Sequence, residues 1–283
     1  LGLGLCTYIL LDYFFKGLTP LFVLDTAFIT FFKISNILFS FTSMAISGAY
    51  FNIAMHETED SLAAKTNELV REKNKTDELL LNILPHETAE ELKQNGFAQP
   101  KLFHDVTVLF TDFKNFTRLS EVLNPEELVR EIHYYYSRFD EIMQEHQVEK
   151  IKTIGDSYMC VAGLPVEYNN NPIHAVKCAL AIRRFISEEK KKRLTTGKPY
   201  FDIRIGLHTG SVVAGIVGTK KFAYDIWGDT VNVASRMESA CLEGQINISE
   251  STYQLVKNEF SCKHRGKIEI KNKGEIDMYF VEH

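Results

Sequence analysis

Basic residues do not outnumber acidic ones. The 283-residue chain has 32 Lys and Arg against 37 Asp and Glu, a net charge of -5, which gives no reason to expect nucleic acid as a partner. Cysteine is sparse. Cys6, Cys160, Cys178, Cys241 and Cys262 are odd in number, widely scattered and form no C-x-x-C pair. That argues against a disulfide framework or a zinc site and fits reduced thiols in a cytosolic domain. No G-x-x-x-x-G-K-[ST] occurs, so nothing supports a P-loop protein, and internal repeats and low-complexity segments are absent. More than one apolar run lies near the N-terminus with no small-residue cleavage pattern after it, which argues against a signal peptide.

What is present is unevenly spread. Hydrophobic residues make up 45% and charged residues 24% of the chain, ordinary for a folded protein, but the apolar ones crowd the beginning. Ile34 to Met55 is a run of 22 uncharged residues, long enough to cross a bilayer core. Leu1 to Phe15 and Leu18 to Phe32 are also apolar; each carries one acid, Asp12 and Asp25, and Lys16 and Lys33 punctuate the gaps. These acids read as helix-end residues at a membrane interface, the alternative being buried functional groups. Residues 1–55 are thus expected to form a multi-pass transmembrane region, and the start inside an apolar run reads as a piece of a longer protein. Lys65, Arg71, Lys73 and Lys75 follow the span, and such an excess marks a cytoplasmic flank, which places the remainder of the chain in the cytoplasm.

Between His56 and Leu84, Leu62, Leu69, Thr76 and Ile83 recur every seven residues. Placing them at d puts Thr66, Lys73 and Leu80 at a, a short coiled-coil pattern whose weak layers permit two registers of similar stability. Pro85 breaks it, and a short helix from His86 to Lys93 closes at Asn95-Gly96. Residues 56–95 therefore form a linker and 96–283 a catalytic-sized domain, an expected α/β (α+β) fold with a sheet covered by helices on one side. In it, Val106 to Phe110 reads as a strand leading to Asp112, and Asn124-Pro125 starts a helix with Leu128, Ile132, Tyr135, Phe139 and Ile142 on one face. Val148 to Gly163 is a β-hairpin with Gly155-Asp156 at its tip, and strand alternation puts Lys152 on the face opposite Ile151 and Thr153. Asn171-Pro172 starts a second helix to about Lys190, whose Lys190 to Arg193 run reads as a solvated helix end. Phe201 to Leu207 and Val212 to Val217 read as two strands joined around Thr209-Gly210. A loop through Asp225 leads to a helix from about Val231 to Ala240, and strands follow near Gln245 to Ile248, Lys267 to Ile270 and Met278 to Val281.

Asp112 and Asp156, at the ends of apolar strands, offer the oxygen ligands a hard divalent ion needs, although either alone would serve as a strand-end cap. After Asp112, Phe113-Lys114-Asn115-Phe116-Thr117 turns into a helix start whose free N–H groups suit phosphate oxygens. A metal site beside an anion site suggests a nucleoside triphosphate. Asn232 and Arg236 share one helix face, which alone is equally a surface pair.

The segments Leu109-Phe110-Thr111-Asp112-Phe113-Lys114-Asn115-Phe116-Thr117, Lys152-Thr153-Ile154-Gly155-Asp156-Ser157-Tyr158-Met159 and the stretch from Tyr224 to Glu238, Y-D-I-W-G-D-T-V-N-V-A-S-R-M-E, resemble the catalytic domain of the class III nucleotide cyclases, in order and in spacing, from about Phe103 to the C-terminus. Leu79 to Leu92 also resembles the transducer element that precedes this domain in membrane-bound members. The resemblance implies a ferredoxin-like core and a head-to-tail homodimer with each active site at the interface. It makes Asp112 and Asp156 ligands of two Mg²⁺ or Mn²⁺ ions per site, Lys152 and Asp225 the readers of the base, Asn232 the ribose-orienting residue and Arg236 the stabiliser of the pentavalent α-phosphate. Arg204 and Lys271 match positions that bind the β and γ phosphates, with Phe116 and Thr117 at the phosphate turn. The metal aspartates of one site come from one chain, and the base-reading pair and the Asn/Arg pair from the other. Asn115 stands where the family commonly has Gly, and its tolerance of left-handed geometry predicts local accommodation.

The base can be argued from hydrogen bonding. Adenine presents an acceptor at N1 and a donor at its 6-amino group, matching the Lys152 ammonium and the Asp225 carboxylate, while guanine reverses both. Guanylate-specific members of the family carry Glu and Cys at these positions. The resemblance therefore implies an adenylate cyclase acting on ATP to give cyclic AMP and pyrophosphate. The alternatives are a guanylate cyclase or a catalytically silent nucleotide-sensing dimerisation module. No general base stands out, and His208 reads as a packed histidine.

Overall fold

The computed structural model describes residues 10, 13, 14, 16, 25–114, 116–166, 170–218, 221–270 and 274–282. Asp12 and most of the first apolar run, Asn115 and Lys271 lie outside the described residues. The chain divides into two compact units, Leu1–Asp77 and Glu78–His283.

Helix α1 (Thr26–Leu81) dominates the first unit and runs for 56 residues without a break, roughly 84 Å at the α-helical rise. It absorbs the end of the second apolar run, so Lys33 marks no gap. Asp25 lies just before it, with Oδ1 accepting from the Ala27 N–H at 3.4 Å, an acid at a helix N-terminus where the dipole favours it. Among the described residues this is the one helix long and apolar enough to cross a membrane. Past the apolar stretch, the heptad residues Leu62 and Leu69 stand exposed.

In the second unit, α2 (His86–Asn95) starts after Pro85 and ends at Gly96, whose φ of 76° is the left-handed cap a glycine supplies without strain. The remaining elements build a mixed eight-stranded sheet in the order β2-β3-β1-β4-β6-β8-β7, with β5 paired to the far half of β4. The strands are β1 (Lys101–Lys114), β2 (Glu149–Ile154), β3 (Ser157–Ala162), β4 (Asp202–Val217), β5 (Ala223–Trp227), β6 (Ile246–Ser249), β7 (Cys262–Ile270) and β8 (Gly274–Val281). Between them lie α3 (Phe116–Val122), α4 (Pro125–Glu145), α5 (Asn171–Thr196), α6 (Asp229–Ser239) and α7 (Glu250–Val256).

Local chemistry explains the main elements. Helix α4 opens with a reciprocal cap in which Asn124 Oδ1 accepts from the Glu127 N–H at 2.8 Å and Glu127 Oε2 accepts from the Asn124 N–H. Its Tyr135, Phe139 and Ile142 are buried, and Leu128 and Ile132 pack against the same core. The hairpin turns at Gly155, whose φ of 64° favours glycine.

Several expectations are corrected. Helices cover both faces of the sheet. Helices α4, α5 and α7 pack with Leu109, Phe113, Tyr158, Ile203 and Ile205 on one face, whereas Ala234 of α6 packs with Val108, Phe110, Met159 and Val212 on the other. Residues 202–217 form one strand, because β1 pairs along it from Lys101↔Ala214 to Lys114↔Asp202 and absorbs a bulge between Phe103 and Val106. The stretch from Lys190 to Arg193 is solvated only in part: Lys191 and Lys192 are exposed, whereas Lys190 and Arg193 are held in ion pairs. The helix continues to Thr196, Lys190 Nζ lies 2.7 Å from Asp202, and Arg193 pairs with Glu131 at 2.6 Å while its guanidinium lies over Tyr134 and Tyr135. Finally, a register shift between Lys150 and Lys152 breaks the alternation of β2. Lys152 pairs across from Met159, and Ile151 packs in the same cluster as Met159, so the bulge brings both to one face of the sheet.

Candidate active site

On the α6 face of the sheet, Asp112 near the end of β1 pairs across from Ser157 on one side and Arg204 on the other. The strands fix its backbone, and Ser157 Oγ donates to Thr111 O at 3.0 Å. Arg204 Nη2 lies 2.5 Å from Asp112 Oδ2. Asp156, at the hairpin tip, adjoins Asp112. Burial pushes the Asp156 carboxyl above its usual range, the Asp112 charge pushes it further, and Arg204 opposes both. The two carboxylates thus face one another.

Sequence reasoning missed two residues here. Glu238, on α6, has Oε1 3.0 Å from Arg204 Nη2 and a side chain only 8% exposed. Burial, reinforced by the Asp112 charge, raises its pKa to about 7. It ends the third family-like segment, but spacing alone did not set it apart from a surface helix residue. Tyr136 of α4 stacks on Phe113 with ring centroids 5.5 Å apart; burial first, and then the charges of Asp156 and Asp112, raise its hydroxyl's pKa.

A second group forms where β2 meets β5. Lys152 Nζ is 2.5 Å from Asp225 Oδ2, and the side chains are 40% and 17% exposed. Asp225 Oδ1 accepts from the Ile226 N–H at 2.9 Å, which orients the carboxylate. Helix α6 carries Asn232 and Arg236 on its exposed face. It is pinned at its start by Thr230 Oγ1 donating to Ser211 O at 2.7 Å. Near its end a Cβ on Gly206 would come within 1.9 Å of Glu238 N, so only glycine allows this helix to sit so close to β4.

The structure therefore brings Asp112, Asp156 and Arg204 together and, separately, Lys152 and Asp225. Among the described residues, none of the hydrogen bonds or ion pairs joins the two groups or links either to Asn232 or Arg236. Phe116, at the start of α3, stacks on Phe201 with ring centroids 6.2 Å apart, and Thr117 beside it is exposed. His208 is buried with Nδ1 2.7 Å from Ser249 Oγ, a packed histidine as expected.

The donor set at Asp112 and Asp156 fits a hard divalent cation. The Asp112 charge raises the proton affinity of Asp156, and a cation shared between the two carboxylates would relieve that repulsion. No cluster of three or more His, Cys, Asp or Glu suited to a metal occurs among the described residues, so further ligands would be oxygens of the backbone, water or a substrate.

The sequence pattern of the adenylate and guanylate cyclase catalytic domain matches residues 98–283. The chain is similar to the guanylate cyclase soluble subunit beta-2 of Rattus norvegicus, at 38% identity over 80% of this chain and 33% of that protein. It is also similar to an adenylate cyclase of Mycobacterium bovis, at 39% identity over 74% of this chain and 47% of that protein. The chain thus spans about a third to a half of the length of these relatives. Among solved structures, the adenylyl cyclase CyaB from P. aeruginosa superposes with a TM-score of 0.62 at 30% identity, covering 65% of this chain and 96% of that one.

Proposed function

The chain belongs to the adenylate and guanylate cyclase family, and from that premise we propose that it is an adenylate cyclase, converting ATP to 3′,5′-cyclic AMP and pyrophosphate at a homodimer interface. Relatives named for either nucleotide match at 38% and 39% identity, so similarity does not choose the base. The observation that carries the choice is the Lys152–Asp225 pair at 2.5 Å. A cation and a carboxylate side by side offer a donor to adenine N1 and an acceptor to its 6-amino group; guanine would meet both with the wrong polarity. Sites built on buried polar pairs reject such mismatches by as much as ~10⁴.

In this reading Asp112 and Asp156 hold two Mg²⁺ or Mn²⁺ ions. Bound there, the ions supply acidity at the ribose 3′-hydroxyl and neutralise charge on the departing pyrophosphate. Arg204 and Lys271 bind the β and γ phosphates, and the backbone at Phe116 and Thr117 lines the phosphate turn. Asn232 orients the ribose, and Arg236 meets the charge that builds on the α-phosphate. Separation of the two groups within one chain supports a site shared between chains: the metal aspartates of one protomer face the Lys152–Asp225 pair, Asn232 and Arg236 of its partner. Helix α1 is the membrane anchor, its polar half the coiled-coil linker, and the catalytic domain faces the cytoplasm.

The test is incubation of the chain with Mn²⁺ and either ATP or GTP. Cyclic AMP from ATP is expected. Product from GTP alone would make the protein a guanylate cyclase, and product from neither would make the domain a silent dimerisation module.

A further inference from the structure

Arg204 is held between two acids. Its Nη2 lies 2.5 Å from Asp112 Oδ2 and 3.0 Å from Glu238 Oε1, so one nitrogen faces both carboxylates, while Nη1 donates to Ser239 O at 3.4 Å. The arrangement is not saturated. Arg204 Nε and Glu238 Oε1 are both buried, and neither makes an aligned hydrogen bond; the Glu238 contact is an ion-pair approach without hydrogen-bond geometry. A buried donor and a buried acceptor on neighbouring side chains, both unmet, define a second arrangement. A turn of the guanidinium that brought Nε to Glu238 would satisfy both and free Asp112.

Glu238 is built to receive it. Its backbone is fixed against β4 at Gly206 and its side chain is only 8% exposed, which keeps the carboxylate beside Arg204. Arg204 is fixed in turn by its register opposite Asp112. Side-chain rotation alone, with no shift of either backbone, would carry the guanidinium from one carboxylate to the other.

We propose that Glu238 is a positioning residue for Arg204, the acceptor that takes the guanidinium when the Asp112 oxygens are committed to a divalent cation. This rests on the reading of Asp112 as a metal ligand. With Glu238 in place, cation entry exchanges one ion pair of Arg204 for another. Without it, the cation must break the guanidinium's remaining carboxylate contact, and Arg204 is left without an anchor beside the polyphosphate.

The experiment is a double-mutant cycle on Mn²⁺ binding to the full chain, read from the spectroscopic signal of free Mn²⁺ so that turnover is not involved. Glu238→Gln should weaken Mn²⁺ binding roughly tenfold, the worth of one charge-assisted contact. In an Arg204→Ala background the same change should have no effect, because no guanidinium remains to compete for Asp112. An equal loss in both backgrounds would mean that Glu238 acts through the fold or on the cation itself, and would overturn the proposal, as would unchanged binding in Glu238→Gln. Thermal unfolding checks each variant; if Glu238→Gln does not fold, Glu238→Asp takes its place under the same criteria. Mn²⁺ binding that is indifferent to Asp112→Asn would instead overturn the metal reading on which this one depends.

Discussion

Lys152 and Asp225 are 73 residues apart in the chain and 2.5 Å apart in space. Neither position is remarkable on its own strand. Their meeting depends on the bulge that keeps Lys152 on the Met159 face of β2 and on the pairing of β5 with the far half of β4. An ammonium and a carboxylate so placed offer one donor and one acceptor side by side, the polarity that the proposed reading of adenine needs.

Reversing that polarity should reverse the preference. The double change Lys152→Glu with Asp225→Cys is expected to move product formation from cyclic AMP towards cyclic GMP, eroding a discrimination of up to ~10⁴. Chromatography of products from equal ATP and GTP measures this; an unaltered ratio would show that other residues read the base.

Mixing two inactive variants should restore activity. In the proposed reading Asp156→Ala removes a metal ligand and Arg236→Ala an α-phosphate contact, and in a shared-site dimer these losses fall on different sites of a hybrid. One intact site then forms in each mixed dimer, which is expected to recover about a quarter of wild-type turnover per protomer at equal mixing, since half the dimers are mixed and each has one of two sites. Silence of a mixture proven to contain hybrids would rule out the shared site.

Gly206→Ala should be severe for so small a change. The added Cβ would meet the Glu238 backbone N at 1.9 Å, and neither strand nor helix can yield cheaply. A loss of about 1–3 kcal/mol is expected, measured by denaturant unfolding, together with loss of cyclase activity as α6 is displaced. Unchanged stability would show that α6 packs less tightly than it does here.

Glu238 should leave a signature in the pH dependence of stability. Its pKa is raised to about 7 in the folded chain from about 4.3 in an unfolded one, so between these values the folded state binds more protons. Its contribution to stability is therefore complete below the unfolded pKa and is lost as pH rises through about 7. Between pH ~5 and ~8 the Tm of the wild type should therefore fall by several °C more than that of Glu238→Gln. Parallel profiles would place the titration elsewhere.

Much of the scaffold was legible because it is written in local chemistry. The reciprocal cap at Asn124 and Glu127, the left-handed Gly155 at the hairpin tip and the uncharged run from Ile34 to Met55 each need only a few neighbouring residues to act. Where the reading failed, the cause was a contact from elsewhere. Gly210 looked like a turn residue but lies inside β4, because β1 supplies a pairing partner along the strand's length. Arg193 looked solvated but is claimed by Glu131 and two tyrosine rings from α4. Lys152 was placed by strict alternation, and a bulge set by pairing with β3 moved it.

The sequence by itself determined the candidate chemistry: acids at the ends of apolar strands, a cation four residues from one of them, an Asn and an Arg one helical turn apart, and three segments in the order the cyclases share. These are properties of residue type and spacing, which survive without coordinates. Only the tertiary structure decided which of these groups touch. It set Arg204 between Asp112 and Glu238, joined Lys152 to Asp225, and left Asn232 and Arg236 facing outward from the same helix whose other side buries Glu238. The reason is that strand register and the close approach of α6 to Gly206 are long-range contacts, and no local pattern in the chain encodes which of two acids a buried guanidinium will meet.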